Sequence, residues 1–246
     1  GLGGLTALRE LRALCPEADI IYFGDTGRAP YGTRSREAVV RYARQDLDFL
    51  LSLGVARVLA ACGTVSSVAL TQLEGCSPVP VTGVVKPAAF SAVNATKNGR
   101  VGVIGTGVTI SSKSFVKAIT RLDDKIQITA TACPLLVPLV ENGFIGKDCE
   151  ITRLAVRGYI EPIKASGADT LILGCTHYPI IADIIAEELP GVNLINSGAA
   201  AADFVASQGV AKESGKTEIY ISDEGQNFRR VARTFLGCEL PCEIKK

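Results

Sequence analysis

The chain has 246 residues, of which 47% are hydrophobic and 21% charged, with a formal net charge of +1. That is long enough for one large or two small domains with real cores, and too apolar for a disordered chain. No basic run exceeds two residues and no apolar stretch approaches the ~18 residues of a membrane span, so neither nucleic acid nor membrane is expected as a partner.

Eight cysteines suggest disulfides, but the chain is too large and too α/β-like to need such staples, and they read as reduced thiols of a cytoplasmic protein. With one histidine, no CxxC and only Cys238-x-x-x-Cys242 as a close pair, no metal site is expected.

In chain order, Leu5, Leu8, Leu11 and Leu14 predict a helix over 5–14, after the turn Gly1-Leu2-Gly3-Gly4. A buried strand at 19–23 leads into the polar loop 24–32, and an amphipathic helix over 34–53 stops at Gly54. A strand at 55–60 delivers Cys62, a helix follows over 64–74, then a strand at 79–85 and a helix over 88–95. Lys97-Asn98-Gly99-Arg100 reads as a turn, and the order restarts. The second series is strand 100–105, polar loop 106–112, helix 113–122, strand 126–130, a rigid loop at 133–138, helix 149–166 and strand 170–174 before Cys175. Helix 180–189, strand 192–195, helix 199–208, strand 218–222 and helix 225–236 complete the chain.

The segments Ala61-Cys62-Gly63-Thr64 and Gly174-Cys175-Thr176-His177 lie 113 residues apart (175 − 62), and the same offset relates Glu37 to Glu150, Gly54 to Gly167, Val79 to Val192 and Ala88 to Ala201. Parallel strands rich in Val, Ile and Leu resemble one another by composition, but a βαβα series held in phase points to duplication. The prediction is an α/β protein of two similar doubly wound parallel-sheet domains related by pseudo-two-fold symmetry, residues 1–86 plus 198–246 and residues 87–197. The second half opens on a strand, Val101 to Ile104, with no counterpart in the first, so a strand is expected ahead of Gly1 in the intact protein. Ligands of parallel sheets collect beyond the carboxyl ends of the strands, where Cys62, Cys175 and the loops at 24–32, 106–112 and 133–138 all fall. They converge only if the two sheets face one cleft.

Two thiols, one from each half, suit a reaction that is nearly symmetric about one atom, such as racemisation at an amino acid Cα. One thiolate removes the proton from one face and a thiol on the other returns one, so each serves as base in one direction and acid in the other. A free thiol titrates near ~8.5, so reaching neutrality costs about 2 kcal/mol, within reach of polar neighbours such as Thr64 and His177. Cys15, Cys76, Cys133 and Cys149 read as small buried hydrophobes instead. Asp25 and Arg28 read as a salt bridge, and Lys86 lacks the glycine-rich phosphate cradle of a pyridoxal phosphate site.

Several segments, in order, resemble the glutamate racemases, cofactor-independent members of the aspartate/glutamate racemase superfamily. They include Tyr22-Phe23-Gly24-Asp25-Thr26, Arg28-Ala29-Pro30-Tyr31-Gly32, Ala61-Cys62-Gly63-Thr64, Cys133-Pro134-Leu135-Leu136-Val137-Pro138, Gly174-Cys175-Thr176-His177-Tyr178-Pro179 and Asn196-Ser197-Gly198. The resemblance implies that Cys62 and Cys175 are the acid/bases, assisted by His177. It implies that Tyr31, Gly32, Gly63, Thr64, Thr106, Thr176 and His177 surround the substrate glutamate, with no cofactor, in a homodimer that supplies D-glutamate for bacterial peptidoglycan. The family has Asp-Ser just before the glycines matched by Gly1 to Gly4, and usually Asn where this chain has Gly63. Three alternatives stand beside it. They are a racemase of aspartate or another amino acid, a cysteine hydrolase using Cys175 or Cys62 with His177, and a non-catalytic amino-acid-binding protein.

Overall fold

The computed structural model describes residues 1–226, 228–240 and 244–245. Its first half runs α1 (Gly4–Leu14), β1 (Ile20–Gly24), a 3-10 turn (Tyr31–Thr33), α2 (Arg36–Ser52), β2 (Val58–Ala60), α3 (Gly63–Val68), α4 (Leu70–Cys76), β3 (Val81–Gly83) and α5 (Val85–Ala95). The order resumes with β4 (Arg100–Gly105), α6 (Gly107–Ser111), α7 (Ser114–Leu122), β5 (Gln127–Ala132), α8 (Leu136–Glu141), α9 (Glu150–Ser166) and β6 (Thr170–Leu173). A second 3-10 turn (Tyr178–Ile181), α10 (Ala182–Glu188), β7 (Asn193–Asn196), α11 (Ser197–Ser207), β8 (Thr217–Ile221), α12 (Phe228–Leu236) and β9 (Ile244–Lys245) follow.

Every strand pairing among the described residues is parallel. The sheet β5-β4-β6-β7 carries the second half. Its central strands are covered on both faces, which is why Val101 to Ile104 and Leu171 to Leu173 are all buried and read as unbroken apolar runs. The first half holds β2-β3 and β1-β8-β9, so a strand from the end of the chain completes the sheet of β1.

The duplication is visible in the backbone. Helices α2 and α9 each have 17 residues, and each is followed by a left-handed glycine, Gly54 at φ 76° and Gly167 at φ 68°. Ser35 caps α2 by accepting from the Ala38 amide, and Val39, Ala43 and Leu47 form its buried stripe. Helices α5 and α11, at equivalent places, have 11 residues each.

Three local expectations are corrected. The helix expected over 64–74 is two helices, because the backbone breaks at Ala69 (φ −116°). The loop at 106–112 contains α6, capped by Thr106, whose hydroxyl accepts from the Thr109 amide. The loop at 133–138 turns helical at Leu136, since Pro138 lies in the first turn, where a missing amide proton costs nothing. Cys242 lies outside the described residues.

Candidate active site

Cys62 stands between β2 and α3, and Cys175 follows β6 after Gly174. Both line one cavity of about 860 Å³, together with Tyr31, Gly32, Gly63, Thr64, Thr106, Thr176 and His177. All the residues picked from the sequence are therefore brought together.

On the second-half side, Cys175 is 7% exposed and its Sγ lies 3.6 Å from His177 Nδ1. His177 Nε2 lies 2.9 Å from Glu141 Oε1, and the ring stands edge-on against Phe235. A carboxylate only accepts, so the proton of the neutral ring belongs on Nε2, which leaves the Nδ1 lone pair facing the Cys175 thiol. The row thiol, imidazole, carboxylate can take a proton from sulfur and stabilise the imidazolium that results. Burial pushes the Cys175 thiol up to about 12, with a hydrogen bond from the backbone amide of His177 opposing and Cys62, Glu141 and Cys133 adding to the rise. Bringing such a thiol to its thiolate at pH 7 costs about 7 kcal/mol, far above the 2 kcal/mol of a free thiol. Burial opposes ionisation of Cys175, a cost that polar neighbours alone do not meet. Cys133 beneath it is likewise buried and raised to about 12.

Cys62 is half-buried and precedes α3, with its amide donating to Ala60 O at 2.9 Å. Two residues on, Thr64 Oγ1 lies 3.0 Å from Thr106 Oγ1, which lies 3.0 Å from Thr109 Oγ1. This hydroxyl row ties the first half to the second across the cleft. A second tie joins Ser114 Oγ to Ser67 Oγ at 2.8 Å. Thr176 is buried, and its carbonyl accepts from Thr6 Oγ1 at 2.9 Å. A Cβ at Gly63 would collide with the Gly174 carbonyl, so glycine lets the two cysteine turns meet backbone to backbone. A side chain at 63 in this arrangement would strike the other half before it reached a ligand.

The Tyr31 hydroxyl is occupied inside the protein. It donates to Asp25, and Asp46 lies 3.0 Å away. Arg28 Nε pairs with Asp25 Oδ2 at 2.7 Å, as the sequence suggested. Burial pushes the Asp25 carboxyl up, but the bonds from Tyr31, Arg28 and Ser222 outweigh it and hold the group below its usual range. Glu141 was missed in the sequence. Its one signal was its place as the sole carboxylate in the apolar stretch after Cys133, at the end of α8.

Residues 6–205 match the family described as Asp/Glu/Hydantoin racemase. The glutamate racemase of Persephonella marina is 42% identical over 244 residues, which cover 99% of this chain and 93% of that protein. A crystal structure of the glutamate racemase from Francisella tularensis in complex with D-glutamate superposes with a TM-score of 0.91 at 32% identity, covering 100% of this chain and 93% of that one. The glutamate racemase isoform of Bacillus anthracis gives 0.93 at 32% identity, covering 100% and 94%. By sequence over nearly its whole length, and by fold, the chain belongs to the Asp/Glu/Hydantoin racemase family, among the glutamate racemases.

Proposed function

We propose that the protein interconverts L- and D-glutamate by two-base proton transfer at Cα, with Cys62 and Cys175 on opposite faces of the substrate. The observation that carries this reading is one cavity lined by a cysteine from each half, with the His177–Glu141 pair behind one of them. Cys175 as a neutral thiol is the acid that returns a proton. When it is the base, His177 Nδ1 takes the thiol proton, and Glu141 stabilises the imidazolium. The substrate ammonium, once bound, adds a cation beside both thiols and offsets part of the cost of burial. Thr64, Thr106 and Thr176, with the backbone of Tyr31, Gly32 and Gly63, hold the polar groups of the amino acid. The same reading divides the chain into residues 1–86 plus 198–246 and residues 87–197, with the cleft between them.

The product would serve peptidoglycan synthesis, and the enzyme would act in the cytoplasm as a homodimer. Among the described residues, no helix is long and apolar enough to cross a membrane.

The test is incubation with L- or D-glutamate in deuterium oxide without added cofactor, following optical rotation and Cα deuteration. Loss of rotation with solvent deuterium at Cα is expected. Exchange with no acidic amino acid would overturn the reading. Cys62→Ser and Cys175→Ser should each abolish racemisation, and full activity in either variant contradicts the paired assignment.

A further inference from the structure

The loop after β1 holds a buried charge cluster that the proton transfer does not use. Tyr31 Oη donates to Asp25 and also lies 3.0 Å from Asp46 Oδ2. A phenol has one proton to give. Asp25 takes it, being almost wholly buried and held as an acceptor by Arg28 Nε at 2.7 Å and Ser222 Oγ at 2.9 Å. The contact between Tyr31 Oη and Asp46 Oδ2 is then a contact of two oxygens with no proton between them, unless Asp46 carries one. With that proton in place, Asp46 donates to Tyr31 and Tyr31 donates to Asp25. Asp46 Oδ1 meanwhile accepts from Arg28 Nη2 at 2.8 Å.

The cluster connects to the cleft through Gly32. A Cβ there would lie 2.7 Å from Thr106 Cγ2, so the turn bearing Tyr31 and Gly32 rests directly on Thr106. Thr106 in turn meets Thr64, two residues beyond Cys62. We propose that Asp46 is a positioning residue of the cleft, which as a carboxylic acid donates to Tyr31 Oη and so locks the Pro30–Gly32 wall against Thr106. The inference rests on the racemase reading above for the meaning of that wall.

The surroundings of Asp46 favour the protonated form. Burial and the charge of Asp25 raise its carboxyl to about 6, against the opposing charge of Arg28; its neighbour on α2, Gln45, is neutral and is bonded to Arg28. Ionisation replaces the bond to Tyr31 by facing lone pairs and leaves only the pair with Arg28. The wall is therefore tightest at low pH and loosens as pH rises through that value.

The experiment compares the wild type with Asp46→Asn and Asp46→Leu. In the asparagine variant the amide donates to Tyr31 at every pH while its carbonyl still faces Arg28. KM for D-glutamate in the wild type should rise severalfold from about pH 5.5 to about pH 7.5. In Asp46→Asn it should stay at the low-pH value, with the kcat profile shared by both proteins. Asp46→Leu, shown to be folded by circular dichroism, should have the high-pH KM throughout. An unchanged KM step in the asparagine variant, or wild-type KM values in the leucine variant, overturns the proposal. Thermal unfolding reads the same ionisation without catalysis. Relative to Asp46→Asn, the wild type should lose stability as pH rises from ~4, the unfolded carboxylate value, to about 6. A flat difference contradicts the proposal even for a chain that does not racemise, and a chain that shows the difference without racemising refutes only the racemase reading.

Discussion

Glu141 matters because of what it does to one nitrogen. Its carboxylate at 2.9 Å keeps a proton on His177 Nε2, and so leaves Nδ1 open toward Cys175. Glu141→Gln can donate as well as accept, which releases the tautomer and removes the charge that stabilises the imidazolium. Its kcat should fall about 100-fold, more steeply in the direction that uses Cys175 as base, with a smaller change in KM. Steady-state rates in both directions check this. Gly63 makes a second residue-scale prediction. Gly63→Ala drives a methyl group into the Gly174 carbonyl, which belongs to backbone and has little room to yield. The cost should be about 1–3 kcal/mol in denaturant unfolding, with KM raised as the halves are wedged apart. An unperturbed variant would show that the turns separate freely. The two cysteines could be picked from the sequence because their neighbours repeat at a fixed offset, and the lone histidine because it stands two residues after Cys175 at the mouth of a strand. Glu141 and Asp46 could not, because each acts on a partner distant in sequence, and nothing local marks a carboxylate as facing inward.

At the scale of elements, Asp169 shows how one side chain fixes a junction. It accepts from Thr96 Oγ1 at 2.6 Å, from the amides of Lys97 and Asn98 at 2.7 and 2.8 Å, and from Thr170 Oγ1 at 3.0 Å. It thereby ties the turn between α5 and β4 to the start of β6. Burial works against its charge, but these donors win and hold it at about 2. A carboxyl lowered in the folded state contributes stability above its unfolded value of ~3.9, and loses it as pH falls toward 2. Asp169→Ala should cost about 2 kcal/mol at neutral pH, and the gap to the wild type should close in acid thermal melts. Strands, long helices and their glycine stops were legible in the sequence, since periodicity and left-handed glycines are local properties. The short helices α6 and α8 were not. Each is under two turns, too short for periodicity to show, and each forms because a cap or a first-turn proline satisfies its end.

For the whole molecule, Cys62 and Cys175 line one cavity from segments far apart in the chain, so a ligand spanning them should act as a brace. D-glutamate at 100 times its Kd should add about 2.7 kcal/mol to unfolding, seen as a rise in Tm that Cys62→Ser retains. A Tm indifferent to glutamate would count against a site between the halves. Phe235, wholly buried and edge-on to His177, links the core to that site. Phe235→Ala should cost about 3–5 kcal/mol and lower kcat together with stability. What the sequence by itself determined is the alternation of buried strands and amphipathic helices, the duplication, the identity of the two thiols and the family to which they point. These depend on spacing along one chain. Only the tertiary structure decided that β8 returns to pair with β1, and that Gly63 meets Gly174. It also decided that burial lifts the Cys175 thiol to about 12 while Glu141 stands ready behind its histidine. Contact and desolvation arise between segments far apart in the chain, so no local pattern could have carried them.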